Sequence, residues 1–113
     1  EGPQTFNMAA IDIPVEEGMI TSIEPGLYRE GHYGIRIENL VLSKKVESNQ
    51  FGDFMDFETL TVCYIDTALV DKNLLDQKHI DWLNQYNGWV FEKLSPKLDE
   101  GEKAWLKEKT KAI

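Results

Sequence analysis

The chain has 113 residues, which is enough for a small domain with its own hydrophobic core. Its 20 acidic and 12 basic residues give a formal net charge of -8, which argues against a nucleic-acid-binding surface because such surfaces need clustered Lys and Arg. No run approaches the roughly 18 apolar residues of a membrane span. We therefore expect neither nucleic acid nor a membrane among the partners.

The first residues show neither the basic nor the apolar segment of a signal peptide, and the sequence does not begin with methionine. This pattern is compatible with a piece of a longer protein. The single cysteine, Cys63, excludes a disulfide within the chain and suits a reducing cytoplasm, where we expect the protein to reside. Because Cys63 lies in an apolar run, we expect a small core residue rather than a nucleophile.

Two strands are predicted in the first 42 residues. Residues 19–23 predict a strand that ends at Glu24, because Pro25 biases the preceding residue towards extended geometry. Residues 33–42 predict a second strand, in which apolar and polar side chains alternate and Arg36 shares a face with Glu38. The two strands are expected to pair as one long hairpin.

The remaining sequence predicts a loop, a strand and two helices. Polar residues 46–54 indicate a loop, and the β-branched and aromatic residues of 57–65 predict a third strand. From about residue 71 the pattern is helical, with Asp76 as the N-cap and Ser95-Pro96 as the end of the first helix. Asp99 and Glu102 then resemble a capping box. The apolar face of the first helix consists of Ile80, Leu83, Asn87, Val90 and Leu94. The expected fold class is α+β.

Glu24 and Glu38 each occur in a strand-like apolar run, where an ionised side chain is costly unless something compensates it. Carboxylate oxygens suit Mg, Ca or Mn, and added imidazole extends the choice to Fe, Co or Zn. A purely structural explanation is also available, since Glu24 can be a turn residue and Glu38 can pair with Arg36. Spacing alone leaves both interpretations open.

Two motifs give these glutamates a wider context. Glu-Pro-Gly-Leu-Tyr at 24–28 and Gly-Ile-Arg-Ile-Glu-Asn at 34–39 resemble the metal-binding motifs of the pita-bread metallopeptidases, family M24. Among these, the Xaa-Pro aminopeptidases (aminopeptidase P) are the most similar. Residues 1–3, 14–19, 57–61 and 81–86 also resemble this family, so the likeness covers nearly the whole chain.

The resemblance implies the C-terminal portion of a pita-bread fold, with antiparallel strands followed by helices. Residues 1–66 would be the C-terminal part of the catalytic domain, and residues 67–113 a helical C-terminal extension. The family removes the N-terminal residue from peptides with proline in second position. The expected partners are therefore a proline-containing peptide substrate and the rest of the catalytic domain. Self-association into a homodimer is also expected, because half of such a fold exposes sheet edges.

The family holds two divalent cations, usually Mn, with five side chains. By resemblance Glu24 is one ligand and accepts a proton from the attacking water, and Glu38 is the ligand that bridges both cations. Arg36 and Tyr28 match positions that orient the ligands. The other three ligands have no counterpart in this chain, and His32 and His79, expected to be solvated, do not match them. The isolated chain is therefore expected to be inactive.

Three alternatives remain. The parent protein could be a prolidase-type dipeptidase, or a pita-bread domain that has lost its metal ligands and binds proteins. Residues 71–113 could instead form only a dimerisation tail, with Trp82, Trp89 and Trp105 covering a partner. For these tryptophans we expect a core role rather than a partner surface.

Overall fold

The computed structural model describes residues 14–113. The chain folds as two compact units, of which the first ends at Thr61 and the second covers Val62–Ile113. The described part of the first unit contains antiparallel strands, and the second contains helices, so the predicted α+β class is confirmed. The predicted boundary between residues 66 and 67 stays a prediction. Within residues 14–113 no helix combines the length and apolar character needed to cross a membrane.

The strands of the first unit, called the sheet unit below, form two antiparallel sheets. One sheet has the order β1-β4-β5, and the other contains β2 and β3. The strands are β1 (Ile20–Ile23), β2 (Gly26–Arg29), β3 (Tyr33–Arg36), β4 (Asn39–Asn49) and β5 (Gly52–Thr59).

The predicted long hairpin exists, but it is interrupted. Ile23 lies opposite Asn39 in β1 and β4, and Gly26 lies opposite Arg36 in β2 and β3. The register is the same on both sides of the interruption, which consists of residues 24–25 on one side of the hairpin and 37–38 on the other. The prediction of a single strand over 33–42 is therefore wrong. The cause is Pro25, which has no N–H to donate to a ladder. Ile37 N–H still donates to the Pro25 carbonyl oxygen at 3.4 Å.

The predicted loop at 46–54 is also wrong. β4 continues to Asn49, and β5 begins at Gly52, whose φ of 130° suits the tight turn between them. A β-bulge between Lys45 and Glu47 shifts the register within this hairpin. Most side chains of this segment are exposed, so its polar sequence reflects two solvated faces rather than a loop.

The predicted third strand ends at Thr59 rather than at residue 65. Leu60 N–H still donates to the Leu40 carbonyl oxygen at 2.8 Å, but Cys63 and Ile65 bond to side chains of a helix instead of a neighbouring strand. The Tyr86 hydroxyl donates to the Cys63 carbonyl oxygen at 3.0 Å. The Asn87 side chain accepts from Ile65 N–H at 2.9 Å and donates to the Ile65 carbonyl oxygen at 3.0 Å. These bonds explain why an extended, apolar sequence lies here outside any sheet.

The second unit, called the helical unit below, contains α1 (Gln77–Leu94) and α2 (Glu100–Lys109), as predicted. Short 3-10 turns cover Lys72–Leu74 and Ser95–Lys97. Asp76 occupies the N-cap position of α1, but its side chain makes no capping hydrogen bond. Before α2, Asp99 and Glu102 form the predicted capping box through bonds of 2.8 and 3.1 Å.

The predicted apolar face of α1 is confirmed, because Leu83, Asn87 and Val90 are buried. Two expectations about single residues are wrong. Cys63 is exposed, because residues 62–65 present their backbone to α1 rather than a strand face to a core. The core role expected for the tryptophans is wrong for Trp82 and Trp105, which are 47% and 54% exposed although their rings contact Tyr86 and Tyr64. Trp89 is half-buried and contacts Tyr86.

Candidate metal centre

Glu24 and Glu38 occupy the two interruptions of the hairpin. Since Ile23 lies opposite Asn39 and Gly26 opposite Arg36, the register brings Glu24 opposite Glu38. Residues two apart on a strand share a face, which places Arg36 on the same face as both glutamates. The register that continues across the break thus brings two residues separated by 14 positions in sequence to one place on the surface.

One guanidinium group links the two carboxylates. Arg36 Nη1 lies 3.1 Å from Glu24 Oε2, and Arg36 Nη2 lies 3.2 Å from Glu38 Oε2. Like charges directly opposite each other on a hairpin are destabilising, so a shared cation is what this arrangement requires. The ion pair between Glu38 and Arg36, expected from the purely structural explanation, is therefore present. Glu24 forms a second ion pair with the same guanidinium group.

The expectation that these carboxylates are shielded in an apolar run is wrong for this chain. The side chains of Glu24 and Glu38 are each 41% exposed, and that of Arg36 is 48% exposed. Both glutamates lie where the strands are interrupted, next to β2 and β3, whose residues are all exposed. Ion pairs of such exposure contribute about 0.2–1 kcal/mol each, so their contribution to stability is small. Their importance is geometric, because both carboxylates point at one positive charge.

Ser22 contacts the second oxygen of Glu24. Its hydroxyl donates to Glu24 Oε1 at 2.6 Å, while Glu24 Oε2 faces Arg36. The sequence analysis did not single out Ser22. The sequence could have indicated this contact, because Ser22 precedes Glu24 by two positions in an extended segment and so shares its face.

Tyr28 lies over two glycines on this face. A Cβ at Gly26 would come within 2.6 Å of the Tyr28 hydroxyl oxygen, and a Cβ at Gly34 within 2.7 Å of its ring. Glycine at both positions therefore leaves the space that the ring occupies. Because Gly26 pairs with Arg36 across the hairpin, Tyr28 leans towards the paired carboxylates.

The donor set fits part of a metal site. Two carboxylates supply hard oxygen ligands, and the guanidinium between them marks a place where positive charge is favourable. In residues 14–113 there is no group of three His, Cys, Asp or Glu side chains that could hold an ion. His32 and His79 are exposed, as predicted, and are not among the residues bonded to the glutamates. The described residues thus bring together two candidate ligands, fewer than a tight metal site needs.

Comparison with protein-family models identifies two matches. A model described as the C-terminal region of peptidase M24 matches residues 53–113, more than half of the chain. A model of metallopeptidase family M24 matches residues 1–45, which include both glutamates.

Comparison with individual proteins gives relatives of one type. The chain is 42% identical to a probable Xaa-Pro aminopeptidase P of Coprinopsis cinerea and 41% identical to aminopeptidase P2 of Arabidopsis thaliana. Each alignment covers the whole chain but only 19% and 17%, respectively, of the relative. The chain therefore spans less than a fifth of the length of these curated relatives.

A solved structure matches as well. It is the X-prolyl aminopeptidase of Caenorhabditis elegans, described as a cytosolic enzyme with a di-nuclear active site. The match has a TM-score of 0.72 and 36% sequence identity, over 88% of this chain and 17% of that one. The predicted fold, the C-terminal portion of a pita-bread fold, is confirmed.

Proposed function

The chain belongs to metallopeptidase family M24, and we propose that it forms the C-terminal part of the catalytic domain of an Xaa-Pro aminopeptidase. Such an enzyme removes the N-terminal residue from peptides with proline in second position. The observation that carries the proposal is the cross-strand pair Glu24 and Glu38, turned towards one positive charge. Relatives named Xaa-Pro aminopeptidase support this activity over a prolidase-type dipeptidase or a non-catalytic binding module.

The two glutamates would hold two divalent cations, for which we propose Mn. When bound, such cations activate a water molecule and polarise the substrate carbonyl group. Glu38, whose Oε2 contacts Arg36, would be the ligand shared by the two cations, as its place in the Gly-Ile-Arg-Ile-Glu-Asn motif implies. In Glu24, Oε1 accepts from Ser22 and Oε2 accepts from Arg36. We assign Oε2 as ligand and proton acceptor, because its second lone pair remains for a cation.

Arg36 and Tyr28 would orient the two ligands. The guanidinium contacts one oxygen of each glutamate, so it balances their charge and sets their separation. Tyr28 fills the space above Gly26 and Gly34 and limits where the Arg36 side chain can lie. Neither residue needs to contact the substrate for this role.

We propose that the remaining ligands come from polypeptide outside this chain. Its curated relatives are more than five times as long, and two carboxylates are too few for tight binding of two cations. We therefore propose that the isolated chain binds Mn weakly and is inactive. A cytoplasmic location and a homodimer stay predictions, the first supported by the nematode relative being described as cytosolic.

The test compares the isolated 113 residues with the complete gene product. Both proteins are incubated with Mn and two peptides that differ only in having proline or alanine in second position. We expect the complete protein to cleave only the proline peptide and the isolated chain to cleave neither. Equal turnover by the isolated chain would disprove its dependence on other polypeptide. Failure of the complete protein to cleave the proline peptide would overturn the aminopeptidase assignment.

A further inference from the structure

Each carboxylate oxygen of Glu24 is held by a different donor. Oε1 accepts from the Ser22 hydroxyl at 2.6 Å, and Oε2 faces the Arg36 guanidinium at 3.1 Å. We propose that Ser22 is a positioning residue: its hydroxyl holds Oε1, so that Oε2, which accepts one bond from Arg36, offers its second lone pair to a cation. The inference rests on the proposed function, because it assigns a role at the same site.

Strand pairing fixes the backbone of Ser22 but not that of Glu24. Ser22 pairs with Leu40 inside the β1–β4 ladder and is half-buried. Glu24 lies beyond the last ladder pair of β1 and precedes Pro25, so no strand pairing fixes it. A side chain with three rotatable bonds on such a residue needs an external anchor to keep one orientation. Ser22, which lies on the same face, supplies this anchor through its hydroxyl group.

The bond itself is of the strong kind. A hydroxyl that donates to an ionised carboxylate usually lies about 2.5–2.7 Å from it, and such bonds are roughly twice as strong as those between neutral groups. Removal of a residue that is hydrogen-bonded to a metal ligand commonly lowers metal affinity or activity by about 10- to 100-fold. The effect expected at Ser22 is therefore on cation affinity, with little effect on the fold of an exposed strand end.

The chain contains a matched control. At the far end of β4, the Ser48 hydroxyl donates to Asp53 Oδ1, and Lys45 Nζ lies 3.6 Å from Asp53 Oδ2. This group repeats the combination of serine, carboxylate and cation in the same sheet unit. Within the described residues it contains no counterpart of Glu38, so it should not affect a metal site.

The test uses the complete gene product and four variants: Ser22→Ala, Ser22→Val, Ser22→Thr and Ser48→Ala. Threonine and valine have nearly the same shape and both suit a strand, so this pair differs mainly in the hydroxyl. Mn dissociation constants are measured by isothermal titration calorimetry, and thermal midpoints are measured without metal. We expect a loss of Mn affinity of about tenfold or more for Ser22→Ala and Ser22→Val. Ser22→Thr and Ser48→Ala should stay within about threefold of the unmodified protein.

The outcomes separate this inference from the proposed function. Equal Mn affinity for Ser22→Thr and Ser22→Val would overturn the positioning role, even if the protein cleaves Xaa-Pro peptides. Loss of affinity in Ser22→Val but not in Ser22→Thr would support it, even if those peptides are not cleaved. If Ser22→Ala unfolds, the threonine and valine pair decides the matter. Absence of any Mn binding by the unmodified protein would overturn both proposals.

Discussion

The two units of the chain differ in how they cover their apolar side chains. Among the described residues, the buried hydrophobic side chains of the helical unit are Leu83, Tyr86, Val90 and Leu106, whereas the sheet unit buries only Val41. The hairpin of the sheet unit leaves a series of large apolar side chains 44–66% exposed. They are Ile20, Ile23, Leu27, Tyr28, Tyr33, Ile35, Ile37 and Leu40.

This difference separates two tasks within one short sequence. The helical unit buries a hydrophobic core. Its Tyr86 and Asn87 side chains also form hydrogen bonds to the backbone of Cys63 and Ile65. The sheet unit carries the candidate metal ligands on a surface that, under the proposed function, other polypeptide completes. Substitutions at the candidate ligands of the sheet unit should therefore change chemistry, and substitutions of buried residues in the helical unit should change stability.

The largest expected effect is at Glu24. In the complete gene product Glu24→Gln keeps the shape but removes the charge and the proton acceptor, so kcat for an Xaa-Pro peptide should fall by about 10²- to 10⁴-fold. Glu58→Gln is the control, since Glu58 is another strand glutamate paired with a cation, Lys44, at 2.8 Å. Its rate should change by less than about twofold. A similar rate for both variants would contradict the role assigned to Glu24.

The next effect is on the helical unit. Asn87 is 1% exposed, and its side chain makes two hydrogen bonds to Ile65. Asn87→Ala leaves the backbone N–H and C=O of Ile65 without these partners, which should lower the free energy of unfolding by about 2–4 kcal/mol. Urea denaturation followed by helical circular dichroism measures this change.

Asn84→Ala is the matched control for Asn87. Asn84 makes a similar pair of bonds to Ile113, one of them long at 3.4 Å, and it is less buried. Its replacement should cost less than about 1 kcal/mol. Equal costs for the two variants would mean that burial of the amide does not decide its contribution.

A smaller effect distinguishes the two helix N-termini. Asp99 caps α2 through its side chain, whereas Asp76 before α1 makes no such bond. Asp99→Ala should lower the free energy of unfolding by about 1 kcal/mol, and Asp76→Ala should lower it by clearly less. The same urea experiment compares them. A larger loss for Asp76→Ala would show that the capping geometry is misassigned.

The smallest effect is electrostatic and lies at the hairpin tip. The Ser48 hydroxyl, and then the Lys45 ammonium group, lower the pKa of Asp53. Because the folded-state pKa is below the unfolded value of about 4, the associated stabilisation is present above that value. It is lost as the pH falls through the folded-state pKa. NMR titration of the Asp53 carboxyl carbon in Ser48→Ala should show a higher pKa than in the unmodified chain. An unchanged pKa would exclude the Ser48 bond as its main cause.

Periodicity and capping signals predicted the helical unit well. The apolar spacing of α1, the Ser95-Pro96 stop and the Asp99–Glu102 box are local signals, and each is confirmed. Local signals gave wrong predictions at residues 46–54, which form a solvent-exposed hairpin, and at residues 60–65, which lie outside the sheet. The hairpin at Asn49 and Gly52 is polar because both faces are exposed. Residues 62–65 lie outside the sheet, where Tyr86 binds Cys63 and Asn87 binds Ile65.

The candidate site was predictable in its residues but not in its geometry. The motifs pointed to Glu24, Glu38, Arg36 and Tyr28, and their roles as ligands and orienting groups stay predictions. What the sequence did not indicate is that Pro25 divides the hairpin while the register continues, which sets the glutamates opposite each other. The shared guanidinium depends on that cross-strand register, which strand periodicity alone does not supply.

The most direct test of the account is the metal content of the complete gene product with and without Glu38. Protein loaded with Mn and freed of excess metal is analysed by inductively coupled plasma mass spectrometry, alongside Glu38→Gln and the control Glu58→Gln. A bridging ligand contributes to both cations, so we expect about two Mn per polypeptide in the unmodified and control proteins. Glu38→Gln should retain one or none. Two Mn in Glu38→Gln would contradict the assignment of this hairpin as half of a two-metal site.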